Sequence, residues 1–267
     1  MNAPRSAPRS TPRIDTGKPH PARVYDYLLG GRDNYAVDRE IGEQLPAASK
    51  VDARLNRAFM RRAIAWVARS GIDQYLDIGT GIPTEPNLHQ VVQEITPTSR
   101  VVYTDNDPIV LRHAEALLVS APEGATDYVQ ADVRAPTEIL ENATGLLDFG
   151  RPVALSLIAL MHFIPDEDDP YGITRTLVDA LSPGSLLLLS HGTADFLPGD
   201  VIDRATGLYD KGGIPLRLRG RAEVGRFFDG LDLVDPGLVT APHWHMEPPA
   251  PQEDAYSSFY VGVARVR

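Results

Sequence analysis

Acidic residues end three successive apolar runs of this sequence, at points where a bound ligand could meet them. Asp77 lies in "YLDIGTG", Asp105 in "VVYTDNDP" and Asp132 in "VQADVRAP". Ionised carboxylates accept hydrogen bonds from ammonium, hydroxyl and amino groups. Together, the three acids predict a site for a polar ligand that carries such donors.

The stretch "YLDIGTGIPT" is typical of a glycine-rich turn between a strand and a helix. Gly79 and Gly81 permit a tight turn and let a ligand approach the backbone closely, and a helix N-terminus behind them offers free N–H groups. A tight turn without a ligand is the alternative interpretation. The third glycine of a dinucleotide motif is replaced by Thr84.

The position of Asp77 favours one kind of cofactor. A carboxylate two residues before Gly79 would repel a pyrophosphate, but it suits a ligand with an ammonium and a sulfonium group, and S-adenosylmethionine has both. Asp105 lies 24 positions after Gly81, near the spacing at which an acid meets ribose hydroxyls. Asp132 could accept from the adenine amino group with Val133 beside the ring, or it could be a turn aspartate.

Short apolar runs alternate with helical segments around these acids. The expected strands are 74–78, 100–105, 126–131, 152–158, 185–190, 231–234 and 257–265. Helices are expected from about Pro86, Pro108, Pro136 and Pro170, with Asp107 and Asp169 as helix caps. Strands that alternate with helices in this way predict βαβ units and a parallel sheet.

Composition limits what the chain can do. Its 267 residues are 43% hydrophobic and include no cysteine, which excludes disulfides and thiolate metal sites. The net charge of -10 argues against nucleic acid as the main partner. An apolar run long enough to cross a membrane and a secretory signal are both missing, so we expect a cytoplasmic protein.

The motifs "LDIGTG", "VVYTDNDP" and "ADVR" resemble those of the S-adenosylmethionine-dependent methyltransferases of the seven-stranded, Rossmann-like class. The wider pattern resembles a bacterial group of that class long treated as a domain of unknown function. This second resemblance extends over nearly the whole chain from about residue 22. The stretches that carry it are "ARVYDYLLGGRDNYAVDRE", "RLNRAFMRRA", "LDIGTGIPT", "VVYTDNDPIVL" and "RPVALSLIALMHFIPDEDDP".

This resemblance implies an α/β fold with a mostly parallel sheet of order 3-2-1-4-5-7-6, an antiparallel last strand, helices on both faces and an N-terminal helical cap. The implied division is a disordered tail at 1–21, a cap or lid at 22–71 and the cofactor-binding methyltransferase domain at 72–267. Asp77, Gly79 and Gly81 would hold the methionyl end, Asp105 the ribose, and Asp132 with Val133 the adenine, with Asn106 and Leu160 as further cofactor-binding residues. For the methionine carboxylate, Arg57 and Asn56 are candidates, although a solvated helix face explains them equally well.

The segment "LIALMHFIPD" follows the fourth strand, whose end borders the methyl group in this class. Leu160, Met161 and Phe163 are therefore candidates for the pocket. His162 is a candidate general base, as is His191 at the end of the fifth strand, because histidine titrates near neutrality. The alternative interpretation is that both histidines lie at the edge of the core, with their ring nitrogens hydrogen-bonded within the protein. "DEDDP" is interpreted as acidic residues at a helix N-terminus, where negative charge is favourable. "HWH" at 243–245 is a poor metal site, so we expect no metal.

The stretch "VYDYLLGGRDNYAVD" at 24–38 combines aromatic and polar residues ahead of the first strand. The N-terminal helices of such methyltransferases fold over the cofactor as a lid. Gly30 and Gly31 would break a short helix, Tyr25 could act at the reacting centre, and the predicted substrate-binding residues are Tyr27, Asn34 and Tyr35. Tyrosines that pack one helix on another are the alternative.

The predicted function is therefore S-adenosylmethionine-dependent methyl transfer to a small molecule. A non-catalytic binding or regulatory protein on the same fold is the alternative, and Asp77 and Thr84 disfavour a nicotinamide-dependent oxidoreductase. No motif specifies the acceptor or the oligomeric state.

Overall fold

A computed structural model describes residues 15–117, 119–245 and 257–267 of the chain. Residues 1–14 of the tail predicted to be disordered lie outside this range. The rest of that tail is tied to the fold, because Lys18 O accepts from Arg23 at 3.0 Å and the His20 amide donates to Asp38 at 2.9 Å. The expectation of disorder up to residue 21 is therefore corrected for this end of the tail.

A central sheet confirms the predicted strand order. Its strands are β1 Gln74–Ile78, β2 Arg100–Asp105, β3 Ala125–Gln130, β4 Ala154–Ile158, β5 Leu186–Gly192, β6 Asp232–Leu233, β7 Val239–Thr240 and β8 Phe259–Arg265. The order is β3-β2-β1-β4-β5-β8-β6, and β8 is antiparallel to both its neighbours. One short strand, β7, pairs only with β8 and shifts the numbering of the last strand by one.

Helices cover both faces of the sheet. They are α1 Pro21–Leu29, α2 Ala36–Gln44, α3 Ala48–Arg69, α4 Leu88–Ile95, α5 Pro108–Leu117, α6 Pro136–Ala143, α7 Pro170–Asp179, α8 Gly199–Lys211 and α9 Arg221–Gly225. Along β5, Leu187 and Leu189 pack with residues of α6 and α7 on one face, while Leu186 and Leu188 pack with residues of α3 on the other. A strand buried on both faces explains the unbroken leucine run.

The helices α1 and α2 pack away from the sheet, against α8. Val24, Leu28 and Ile41 form an apolar cluster with Tyr209 of α8 and with Ile214, which follows α8. The long helix α3 contributes Ala53 to this cluster, whereas its Phe59 packs against the sheet. The predicted domain boundary after residue 71 stays a prediction, and α3 contacts both parts.

The described part of the chain includes no helix with the length and apolar character that a membrane span requires. The cytoplasmic location stays a prediction.

Candidate active site

Backbone freedom at two glycines shapes the turn after β1. Gly79 and Gly81 have φ values of 75° and 68°, in the left-handed region that favours glycine. A Cβ on Gly79 would lie 2.7 Å from a methyl carbon of Leu160. The Gly81 amide donates to Asp105 at 2.8 Å, so the turn is tied to the end of β2.

The carboxyl ends of β1 to β4 open into one cleft of about 320 Å³, a volume in the range of small-molecule sites. The predicted residues that line it are Tyr25, Asp77, Gly79, Gly81, Asp105, Asn106, Asp132, Val133, Leu160 and Phe163. Parallel strands end at the same edge of a sheet, and the three acids predicted from the sequence meet there for that reason.

Different environments give the three carboxyl groups different pKa shifts. Burial raises the pKa of Asp77, and the nearby charge of Arg57 opposes this only in part. Burial likewise raises the pKa of Asp105, although its oxygens accept from the amides of Gly81 and Asp107. For Asp132, burial is outweighed by the Arg134 amide, the Asn106 amide group and the Arg134 charge, so its pKa is lowered.

One side of α3 forms a wall of the cleft and carries polar atoms that lack partners among the described residues. Asn56 is fully buried; its Nδ2 donates to the Tyr25 hydroxyl at 2.9 Å, and its Oδ1 has no hydrogen-bond partner. The guanidinium of Arg57 donates to the carbonyls of Thr84 and, at 3.2 Å, Pro86, while its buried Nε has none. Buried polar atoms usually have a hydrogen-bond partner, which a bound ligand or water supplies at such positions.

The helix α1 closes the cleft from above. The Tyr25 hydroxyl donates to the Ala53 carbonyl at 3.0 Å, and burial raises its pKa, so the phenol stays protonated at neutral pH. Arg23 contacts the buried Asp107 at 3.2 Å, and His20 Nε2 lies 3.2 Å from Asn106 Oδ1. These contacts join α1 to the loop that follows β2.

The segment after β4 presents some of its side chains to the cleft and buries others. Ala159 has a φ of 53°, an unusual value for a residue with a side chain, and its amide donates to Ser190 Oγ at 2.8 Å. Leu160 and Phe163 then face the cleft, whereas Met161 is fully buried and does not line it. The prediction that Met161 borders the acceptor is therefore corrected.

The two histidines proposed as general bases are buried behind the cleft and do not line it. His162 Nδ1 accepts from the Gly192 amide at 3.2 Å, and burial holds its pKa well below the usual value. His191 Nδ1 donates to the Gly192 carbonyl at 2.7 Å and Nε2 accepts from Arg219 at 2.9 Å; burial lowers its pKa to about 3. Their ring nitrogens form hydrogen bonds within the protein, as the core-edge alternative expects. Neither histidine therefore stays a candidate general base.

The remaining predicted substrate-binding residues also lie outside the cleft lining. Tyr27 packs on Gly42, where a Cβ would lie 2.2 Å from its ring. Asn34 donates to Asp26 at 2.7 Å and to the Gly31 carbonyl at 3.1 Å. Tyr35 is 37% exposed and precedes α2. For these three residues, the packing alternative describes the structure better than direct substrate contact.

The predicted break in the N-terminal helices is confirmed. α1 ends at Leu29, and Gly30 follows with a φ of 85°, a left-handed helix cap. A Cβ on Gly31 would lie 1.9 Å from Asp26 Oδ1. Asp26 in turn accepts from Asn34, so the polar residues of this stretch build the turn that places α1 over the cleft.

Several residues of the cleft were not predicted from the sequence. They are Pro19, His20, Pro21, Ala22, Met60, Ile78, Thr80, Ile82, Asn87, Leu88, Tyr103, Ala131, Arg134, Ile158, Ala159, Ile164, Gly213, Ile214 and Pro215. Gly213, Ile214 and Pro215 come from the segment after α8, which reads as irregular in sequence. The only local signal there is the apolar Ile214 between two turn-forming residues.

Neither of the other polar motifs contributes to the cleft. Asp169 caps α7 by accepting from the Gly172 amide at 3.0 Å, as predicted. In "HWH", His243 lies 2.7 Å from Thr240 Oγ1, and His245 lies 2.6 Å from the Asp235 carbonyl. Within the described ranges, the acidic and histidine side chains form no group arranged to hold a metal ion.

A sequence model of a family described as S-adenosyl methyltransferase matches residues 7–267. A DUF574 family protein from Streptomyces avermitilis is 47% identical, with a TM-score of 0.90 over 96% of this chain and 100% of that one. A protein from Thermobifida fusca, provisionally assigned as a methyltransferase, is 34% identical, with a TM-score of 0.84 over 95% of this chain and 97% of that one.

More distant structures share the fold. Magnesium protoporphyrin IX methyltransferase from Synechocystis, solved with bound S-adenosylhomocysteine, is 12% identical and covers 91% of this chain and 93% of its own, with a TM-score of 0.53. No curated protein matches the sequence.

Proposed function

This chain belongs to the S-adenosyl methyltransferase family, and we propose that it transfers the methyl group of S-adenosylmethionine to a small molecule bound in the cleft beneath α1. That it is an S-adenosylmethionine-dependent methyltransferase follows from the family. The location of the reaction in this cleft is supported by one observation: the glycine turn, the three acids and the unpartnered buried polar atoms converge on it.

The α3 side of the cleft suits the amino-acid end of the cofactor. Asp77 and the free Oδ1 of Asn56 offer acceptors for an ammonium group. The Arg57 guanidinium offers donors to a carboxylate and has a buried Nε without a partner in the described structure. Arginine is well suited to such a contact because its donors match a carboxylate geometrically. We assign the methionine carboxylate to Arg57 on this basis.

The loops after β2 and β3 suit the adenosine end. Each oxygen of Asp105 already accepts one backbone N–H, and each retains a lone pair for a ribose hydroxyl. Asn106 Nδ2 donates to Asp132 at 3.0 Å, which holds both side chains in fixed positions. Val133, which is buried, offers an apolar surface to the base.

The cleft beside Leu160 and Phe163 is the proposed acceptor site. When bound, S-adenosylmethionine supplies a methyl group on a sulfonium, which is already electrophilic. The protein then has to hold a nucleophile in line at about 3 Å and exclude water. Phe163 and Ile214, together with α1, supply the apolar enclosure. Tyr25 stays protonated and bonded to Ala53, so it positions the lid and does not accept a proton.

Calorimetry with S-adenosylhomocysteine tests the assignment. We expect saturable binding, and Asp105→Ala should weaken it by at least about a hundredfold, since two hydrogen bonds to a charged group are lost at about 1.5–3 kcal/mol each. Asp127→Ala is the matched control, because Asp127 is exposed on the neighbouring strand β3. Binding of NADH without binding of S-adenosylhomocysteine would contradict the proposal.

Turnover distinguishes an enzyme from a binding protein on the same fold. Incubation with methyl-labelled cofactor and a low-molecular-mass cell extract should move label into a small molecule. Tight binding of S-adenosylhomocysteine with no label transfer would instead favour the non-catalytic alternative.

A further inference from the structure

Four basic side chains form a stripe along α3. Lys50, Arg54, Arg57 and Arg61 are spaced by four, three and four residues, a pattern that places side chains on one face of a helix. We call this set the α3 basic stripe. Asp52 is the only acidic residue of α3, although the whole chain has a net charge of -10.

None of the four side chains forms an ion pair with a carboxylate of the described residues, although the charge of Asp77 acts on Arg57. Elsewhere, Arg23, Arg134, Arg151, Arg217, Arg219 and Arg267 each form an ion pair. In the stripe, Arg57 and Arg61 instead donate to backbone carbonyls of the loop between β1 and α4. Lys50 lies 4.8 Å from the ring centroid of Tyr27 in α1.

The middle of the stripe meets the cleft. Arg57 lines it and contacts the loop that follows the glycine turn. One helical turn earlier, the carbonyl of Ala53, next to Arg54, accepts from Tyr25, which also lines the cleft. Arg54 is exposed and lies on the helical turn between these two contacts, so it is available to a molecule at the cleft rim.

A charged helix face usually contributes only solubility, and exposed charges bind little by themselves. This one differs because it is continuous with partly enclosed groups. Arg57 extends the positive charge into the cleft, and the neighbouring Asn56 Oδ1 is buried there without a partner in the described structure. Asp77, Asp105 and Asp132 line the same cleft, so the attraction of Arg54 for an anion acts at the rim.

We propose that the methyl acceptor carries an anionic oxygen group, a carboxylate or a phosphate, which Arg54 holds at the rim of the cleft. The rest of the acceptor lies against Leu160 and Phe163. Arg57 faces the methionine carboxylate and separates the two anions. This proposal rests on the proposed function, since it names the chemical class of the acceptor for the same cleft.

Fractionated extract tests this proposal. A low-molecular-mass cell extract is passed over an anion exchanger at pH 8, and the bound pool is eluted with ammonium bicarbonate, which is then removed by evaporation. The flow-through and the eluted pool are assayed with methyl-labelled S-adenosylmethionine. We expect label transfer from the eluted pool. Transfer confined to the flow-through would overturn the anionic acceptor alone. Transfer from no fraction would remove the proposed function along with it.

Variants connect the acceptor to the stripe. With the active pool, Arg54→Gln should raise the KM for the acceptor about fivefold with kcat and S-adenosylhomocysteine affinity unchanged, the effect of about 1 kcal/mol for an exposed charge pair. Added salt should raise the wild-type KM and have less effect on the variant. Arg69→Gln is the matched control, exposed on the same helix about 22 Å further along its axis. Equal KM values for both variants would overturn the role of Arg54.

Discussion

Asp77 occupies a position where binding and stability oppose each other. Its carboxyl group is buried at the end of β1, and burial raises its pKa despite the charge of Arg57. To bind the ammonium of the cofactor it must be ionised. A group whose folded-state pKa is raised contributes stability that is fully present below its unfolded pKa and is lost as pH rises through the folded pKa. At neutral pH, the cofactor-free protein therefore carries the cost of a buried carboxylate.

Replacement of Asp77 by asparagine should reveal this cost. We expect Asp77→Asn to raise the Tm of the cofactor-free protein at pH 7 by on the order of 2–4 °C, the shift for about 1 kcal/mol in a chain of this size. The gain should shrink as pH falls through the raised pKa of the wild-type carboxyl group, because protonation removes the buried charge. Affinity for S-adenosylhomocysteine should fall in the same variant. Differential scanning calorimetry between pH 4 and pH 8 measures the first effect, with Asp127→Asn as control; an unchanged or lower Tm at pH 7 would contradict the argument.

Among the elements, α1 depends on a turn made of polar side chains. Asn34 is buried, donates to Asp26 and Gly31, and accepts from Arg39 at 3.2 Å. It does not line the cleft, so its effect on binding must pass through the position of α1. Tyr25, which does line the cleft, fixes the same helix to α3 through Ala53.

Two variants test whether α1 acts as a lid. Asn34→Ala should lose about 1–3 kcal/mol through unsatisfied buried groups and speed hydrogen exchange in residues 21–45. Tyr25→Phe should weaken S-adenosylhomocysteine binding, because Asn56 Nδ2 loses its partner. Hydrogen exchange and calorimetry measure these effects, and Asn142→Ala, at an exposed position of α6, serves as control. If exchange, affinity and activity are unchanged in both variants, α1 is not a lid.

Across the whole molecule, Arg219 connects segments that are far apart in the sequence. It is fully buried, and its guanidinium donates to Met161 O and Ile164 O at 3.0 Å each, to His191 Nε2 and to Asp166 at 2.6 Å. The segment after β4 is held from behind in this way, so that Leu160 and Phe163 face the cleft. Arginine can make these contacts because it carries five donors in one plane.

Loss of Arg219 should destabilise the protein as a whole. We expect Arg219→Met to lower the free energy of unfolding by about 3 kcal/mol or more, because several buried acceptors lose their donor. Arg219→Lys should recover only part of it, since an ammonium group cannot reach all of them. Urea unfolding measures both, with Arg175→Met on the exposed side of α7 as control. Midpoints equal to that of the control would show that the buried contacts contribute little.

The sheet and the position of the three acids at its edge were predictable from the sequence. The bounds of β1 and β2 match the expected runs to the residue, because a buried parallel strand is a short apolar run with turn residues at its end. Parallel topology alone then places Asp77, Asp105 and Asp132 at one edge. The glycine spacing and the break at Gly30 follow from backbone conformation, which is also local.

Only the tertiary structure decided which side chains reach the cleft. In the segment after β4, Phe163 faces it while His162 turns away, since the contacts of that segment come from Arg219 and Gly192, far along the chain. Tyr27 and Tyr35 are as aromatic as Tyr25, yet helix packing leaves only Tyr25 in the lining. Ile214 closes the cleft through contacts between α8 and the N-terminal helices. Residue type and spacing determine local conformation, whereas the direction of a side chain depends on neighbours that only the fold brings together.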